Sequence, residues 1–132
     1  MQVNYLAILA GGIISFALAG FWYSVLFTKQ WMSVVGKTEE ELKGLNKPIN
    51  FFFTFVLGLI TAYVLAHIVM FLGANTLLEG IEVGVLCWIG FAGATSYAQY
   101  LFGGRSQKLW MIDSGYNLVT FIINGAIFAV WK

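Results

Sequence analysis

In this chain of 132 residues 60% are hydrophobic and 10% are charged, against roughly 25% charged in a soluble domain, so water is not the solvent for which it is built. A formal net charge of +1 lacks the basic face that a nucleic-acid-binding domain needs. The length suits one domain, and Cys87, the only cysteine, has no partner for an internal disulfide.

Four apolar runs follow one another along the chain. The first, 3–27, carries no charge; at a rise of about 1.5 Å per residue it exceeds the roughly 30 Å hydrocarbon core and predicts a transmembrane helix. Ala17-Leu18-Ala19 resembles a signal-peptide cleavage site, but no basic segment precedes it and the apolar run continues beyond, which argues for a span. A charged connection over 28–48 comes next. In it Thr38 and Glu41 have capping-box spacing and predict a short amphipathic helix from about Glu39 to Leu45. Trp31, Met32, Leu42 and Leu45 suit the headgroup layer, with the glutamates turned to water.

The second run, 49–73, opens behind Pro48, whose missing N–H costs nothing in a first helical turn. The third covers 80–102. A second charged connection, 103–113, leads to the fourth run, 114–131, which is the shortest and barely long enough to span. The predicted fold is therefore an all-α integral membrane protein, one domain over 1–132. Its four transmembrane helices form two tandem helical hairpins, with the short amphipathic helix in the first cytoplasmic loop.

Charge sets the expected orientation. Lys29, Lys37, Lys43, Lys47, Arg105 and Lys108 fall in the two charged connections, against Lys132 alone at the other ends. The positive-inside rule places 28–48 and 103–113 in the cytoplasm and both termini outside, in a membrane expected to be the cytoplasmic membrane of a prokaryote. The stretches Tyr23–Gly36 and Tyr100–Gly115 echo each other: an aromatic segment with Leu-Phe, a polar break with a cation, then Trp-Met. They fall at equivalent inner ends of the first and third helices, the pattern of a parallel repeat.

Small residues are spaced for helix packing, which in lipid depends on close backbone approach. Gly11 and Gly12 on the first helix, Gly58 on the second and Gly90 on the third head these stripes. Their number leaves surface for a partner, so a homo-oligomer, most simply a twofold dimer, is expected alongside the lipid bilayer itself. Intramembrane polar residues need partners or a cavity, and they fall into two groups. An inner group holds Trp22, Tyr23, Ser24, Ser96, Gln99, Arg105, Asp113 and Asn117; an Arg105–Asp113 pair is expected there. An outer group holds Tyr63, His67, Glu79, Glu82 and Asn124, with one of the glutamates within reach of His67.

No catalytic signature emerges. There is one histidine, no cysteine pair and no phosphate loop, since Gly103-Gly104-Arg105-Ser106 lacks the Gly-Lys-Ser/Thr ending. Neither an enzyme activity nor a cofactor or metal site is expected. Trp22-Tyr23-Ser24 with Phe27 and Trp31, then Gly36, Thr38 and Glu39 to Leu42, then Gly104-Arg105, Leu109-Trp110 and Asp113-Ser114-Gly115-Tyr116 resemble the small membrane proteins grouped as domain of unknown function 1761. The resemblance implies four helices and a membrane location; it implies no activity. Two functions remain open: a homo-oligomeric channel or carrier for a small solute or ion, or a non-transporting module that associates with a partner protein or with lipid.

Overall fold

Local chemistry fixes where each helix begins. The computed structural model describes residues 2–132. Asn4 caps α1 (Tyr5–Phe21), its side-chain oxygen accepting from the N–H groups of Leu6 and Ala7 at 3.0 and 3.2 Å, which satisfies donors that the first turn leaves free. The chain runs on without a break through wider π-helical turns over Trp22–Leu26, closed by a bond of 2.9 Å from the Phe27 N–H to the Trp22 carbonyl. Two short helices follow, α2 (Thr28–Val34) and α3 (Glu39–Leu45). The predicted capping box starts α3, with the Glu41 N–H on the Thr38 hydroxyl and that hydroxyl on the Glu41 carboxylate. The same device, Thr76 with Glu79, starts α5 (Leu77–Cys87).

Pro48 opens α4 (Pro48–Phe71). After α5 come π-helical turns over Trp88–Gly93, then α6 (Ala94–Phe102), and finally α7 (Gln107–Val130). Gly73 and Gly104 have positive φ, 72° and 66°, and stop α4 and α6. At each turn an amide reaches back five residues, Ala74 to Val69 and Arg105 to Tyr100, the Schellman closure that needs a left-handed residue glycine adopts without strain.

Among the described residues three helical stretches are long and apolar enough to cross a membrane: Tyr5–Leu26, Pro48–Phe71 and Leu77–Phe102. The expectation of four such spans is corrected to three by this measure. The fourth helix differs because Asp113, Ser114, Asn117, Thr120 and Asn124 run along it; it is capped by Ser106, which accepts from the N–H groups of Lys108 and Leu109. Helix α7 therefore starts at Gln107, seven residues before the expected 114, and takes in Lys108 and Asp113. Its polarity reflects its place in the fold, because α1, α4 and α5 all pack on α7 while α1 also pairs with α4.

The approach of α5 to α7 is the tightest. A Cβ added at Gly80 would collide with the Gly125 carbonyl, and one at Gly84 with the Phe121 carbonyl. Gly11 faces Asn124 and Phe128 of α7, and Gly12 faces Leu59 of α4. Gly58 and Gly90, expected as packing positions, face open space within this chain. The closest backbone contacts instead use Gly80 and Gly84, which were not among the expected packing positions, with Gly125 and Phe121 of α7. Large apolar side chains cover much of the outside, and a few polar residues lie within an otherwise apolar core. Phe71, Phe91 and Phe102 are 76%, 74% and 94% exposed, whereas Ser15, Ser114, Thr120 and Asn124 are buried.

Candidate functional site

Asp113 lies two turns into α7 and is the centre of the inner polar network. Its carboxylate accepts from the Tyr23 hydroxyl on one oxygen and the Tyr100 hydroxyl on the other, each at 2.6 Å. Those lengths are typical of hydroxyl donors to a carboxylate, the stronger class of hydrogen bond. Tyr23 belongs to the π turns after α1 and Tyr100 to α6, so one side chain ties the first and third apolar segments to α7. These tyrosines head the two echoed stretches, which otherwise fold differently: Trp31-Met32 lies in the short helix α2 and Trp110-Met111 in α7.

Both π segments begin with a tryptophan aimed at α7. The Trp22 indole N–H donates to the Ile112 carbonyl and that of Trp88 to the Ser114 carbonyl, both at 2.9 Å. A widened turn re-aims the side chains around it, and π turns recur at functional positions. Gly115 gives Trp22 room, since a Cβ there would lie 3.3 Å from the indole. Nearby, the Trp110 indole donates to Ser96 at 3.0 Å, and Ser96 meets Ser114 at 3.4 Å.

Of the inner residues expected from sequence, the fold brings Trp22, Tyr23, Ser96 and Asp113 into this network. Arg105 does not neutralise Asp113 directly; its guanidinium lies 4.2 Å over the Tyr100 ring, a cation–π contact. Ser24 lines an adjoining groove, which Tyr23 also lines. Gln99 is exposed and Asn117 half-buried, and neither side chain is among the network's hydrogen bonds. Sequence reading overlooked Tyr100 and Trp88 as members, because their partners lie on a helix distant in sequence.

The outer group does not assemble as one site. His67 Nδ1 lies 2.8 Å from the Tyr63 carbonyl of its own helix, and since a carbonyl only accepts, that nitrogen carries the proton. The imidazole packs between Tyr63 and Phe71, with ring centroids at 4.3 and 6.0 Å. Glu79 serves the cap of α5, Glu82 is exposed, and the expected glutamate partner for His67 gives way to this aromatic stack. Asn124 sits apart in the core, 2% exposed, donating to the Ser15 hydroxyl at 3.1 Å. Ser15 in turn donates to the Gly11 carbonyl and takes the Tyr116 hydroxyl on its own carbonyl.

At the inner end the chain leaves a groove of about 780 Å³ between the last turns of α1, the short helices α2 and α3, and the start of α4. Trp31, Met32, Leu42 and Leu45, read from the sequence as headgroup-layer residues, all line it. Among the described residues no group of three histidine, cysteine, aspartate or glutamate side chains is arranged to hold a metal.

Fold and site together define an all-helical protein with helices of membrane-spanning length and apolarity, held by a buried polar seam. Residues 6–129 match the family model described as a protein of unknown function, DUF1761, and the chain belongs to that family. No curated protein and no solved structure matches it.

Proposed function

We propose that the chain is an integral membrane protein in which α7 crosses the bilayer with the three apolar segments, shielded from lipid by them. Its function is that of a non-catalytic, non-conducting module that binds membrane components. The apolar exterior carries this reading: large aromatic and aliphatic side chains cover the outside, while Ser15, Ser114, Thr120 and Asn124 are sheltered within the core, an arrangement costly in water and favourable in lipid. The centre of the single chain is closed by the glycine contacts of α5 with α7 and by Asn124 against Gly11, which supports a module over a pore. Lys132 donates to the Ala74 carbonyl at 2.8 Å, so the C-terminus and the α4–α5 turn share one end. The remaining cations, in the other connections, make that other end the cytoplasmic one.

A second reading, a homo-oligomeric carrier for a small solute or ion, draws support from Gly58 and Gly90, small residues left facing outward where a second copy would approach closely. One set of measurements separates the two. The protein should resist alkaline extraction from membranes, cysteines at Thr38 and Gln107 should label only from the cytoplasm, and a reporter after Lys132 should be outside. In liposomes the purified protein should add no proton or small-solute leak. Leak that vanishes on Gly58→Leu or Gly90→Leu would establish the carrier instead.

A further inference from the structure

We propose that the inner groove is a binding site for one glycerophospholipid with an amine headgroup, a reading that rests on the bilayer location proposed above. A volume of about 780 Å³ is within the roughly 300–1,000 Å³ of sites that hold a single small molecule. The walls are graded as a phospholipid is graded. Phe16, Ala19, Gly20 and Phe51, with the polar residues Tyr23, Ser24 and Thr54 among them, line the part formed by the spanning helices, and Gly20 presents bare backbone there, since a Cβ added to it meets nothing within 4 Å. That is a smooth wall for an acyl chain.

Over this apolar part lies α3, with Glu39 and Lys43 both lining the groove. They are four residues apart and so share one face of the helix. Glu40 and Glu41 are not part of the lining, and Glu41 is engaged by Thr38. One anion and one cation match a headgroup that carries both charges. Lys43, with Asn46 in the same lining, takes the phosphate; Glu39 and the Trp31 ring take the ammonium, by hydrogen bond and by cation–π attraction. A purely anionic headgroup would bring its charge to Glu39 without compensation, which disfavours it.

The test uses the full chain in phosphatidylcholine vesicles doped with phosphatidylethanolamine or phosphatidylglycerol bearing a nitroxide on the acyl chain. The fluorescence of Trp31 is taken as the difference between the wild type and Trp31→Phe. Phosphatidylethanolamine should quench Trp31 at about fivefold lower content than phosphatidylglycerol, the effect of one charge contact near the membrane surface. Gly20→Phe should remove that preference without lowering thermal stability, because the ring enters open groove. Glu39→Lys, at an exposed position, should reverse the preference toward phosphatidylglycerol even if the first variant folds poorly. Equal quenching by both lipids in the wild type means contact with surrounding lipid only and overturns the site. So does a preference that survives both substitutions. If no tryptophan is quenched by any lipid, the bilayer reading falls and the site falls with it.

Discussion

Helices α4 and α7 have the same length, 24 residues, and opposite surfaces. Along α4 many large apolar side chains, among them Phe52, Phe53, Leu57, Ile60 and Val64, are exposed, and its buried face is wholly apolar, Ala62, Leu65, Ala66 and Val69. Along α7 the buried set includes Ser114, Thr120 and Asn124, and its acid, Asp113, is held by two tyrosines. The more polar of the two is the helix on which the others pack. A helix surrounded by other helices can keep polar groups because its neighbours supply the partners, while a helix facing hydrocarbon has none to offer.

The largest expected effect comes from pushing α5 away from α7. Gly84→Leu forces a side chain onto the Phe121 carbonyl, where backbone cannot yield, and should destabilise by about 3 kcal/mol or more, read as loss of the folded fraction in detergent unfolding. Gly58→Leu on the outer face of α4 should change that measurement by less than about 0.5 kcal/mol. Similar losses for the two glycines would erase the distinction between inner and outer helices.

Next in size is the seam at Asp113. Asp113→Leu removes two charge-assisted bonds and leaves two tyrosine hydroxyls without acceptors, for an expected cost of about 2–4 kcal/mol. Tyr23→Phe and Tyr100→Phe should each cost less than Asp113→Leu, and the pair should be non-additive because both hydroxyls act on one carboxylate. A double-mutant cycle with no coupling would mean that the two contacts are independent of each other.

Asn124→Leu should give a smaller loss, about 0.6–1.7 kcal/mol by the measured range for hydrogen bonds between helices in membranes. Its Oδ1 has no hydrogen-bond partner in the structure, so only the bond to Ser15 is removed. Slightly below it comes His67, where Gln can keep the local bond to the Tyr63 carbonyl but not the ring stack: a loss of about 0.5–1.5 kcal/mol. A His67→Gln loss larger than that of Asp113→Leu would invert the ranking on which the comparison rests.

Much of this architecture was legible from local patterns. Unbroken apolarity marked the first three spans, and capping chemistry gave α3 its bounds, Glu39 to Leu45, because both depend on residues within a few positions of one another. Trp31, Met32, Leu42 and Leu45 were grouped by amphipathic character and do line one groove. The start of α7 was misplaced for an equally local reason: apolarity was read ahead of the Ser106 cap. The π turns carried no signal, since widening a helix by one residue depends on what the side chains must reach across the bundle.

Composition and charge by themselves determined an all-helical, apolar chain with its cations gathered in two connections, since those are properties of single residues and their near neighbours. Tertiary structure alone decided which glycines touch backbone, which helix lies inside, and which donors reach Asp113. The bond from Tyr23 to Asp113 spans 90 residues, and the packing of Gly84 on Phe121 follows from how two helices cross. Spacing along one helix names the candidates for such contacts; only the neighbouring helix chooses among them, because a close approach or a hydrogen bond needs a second surface at the right distance.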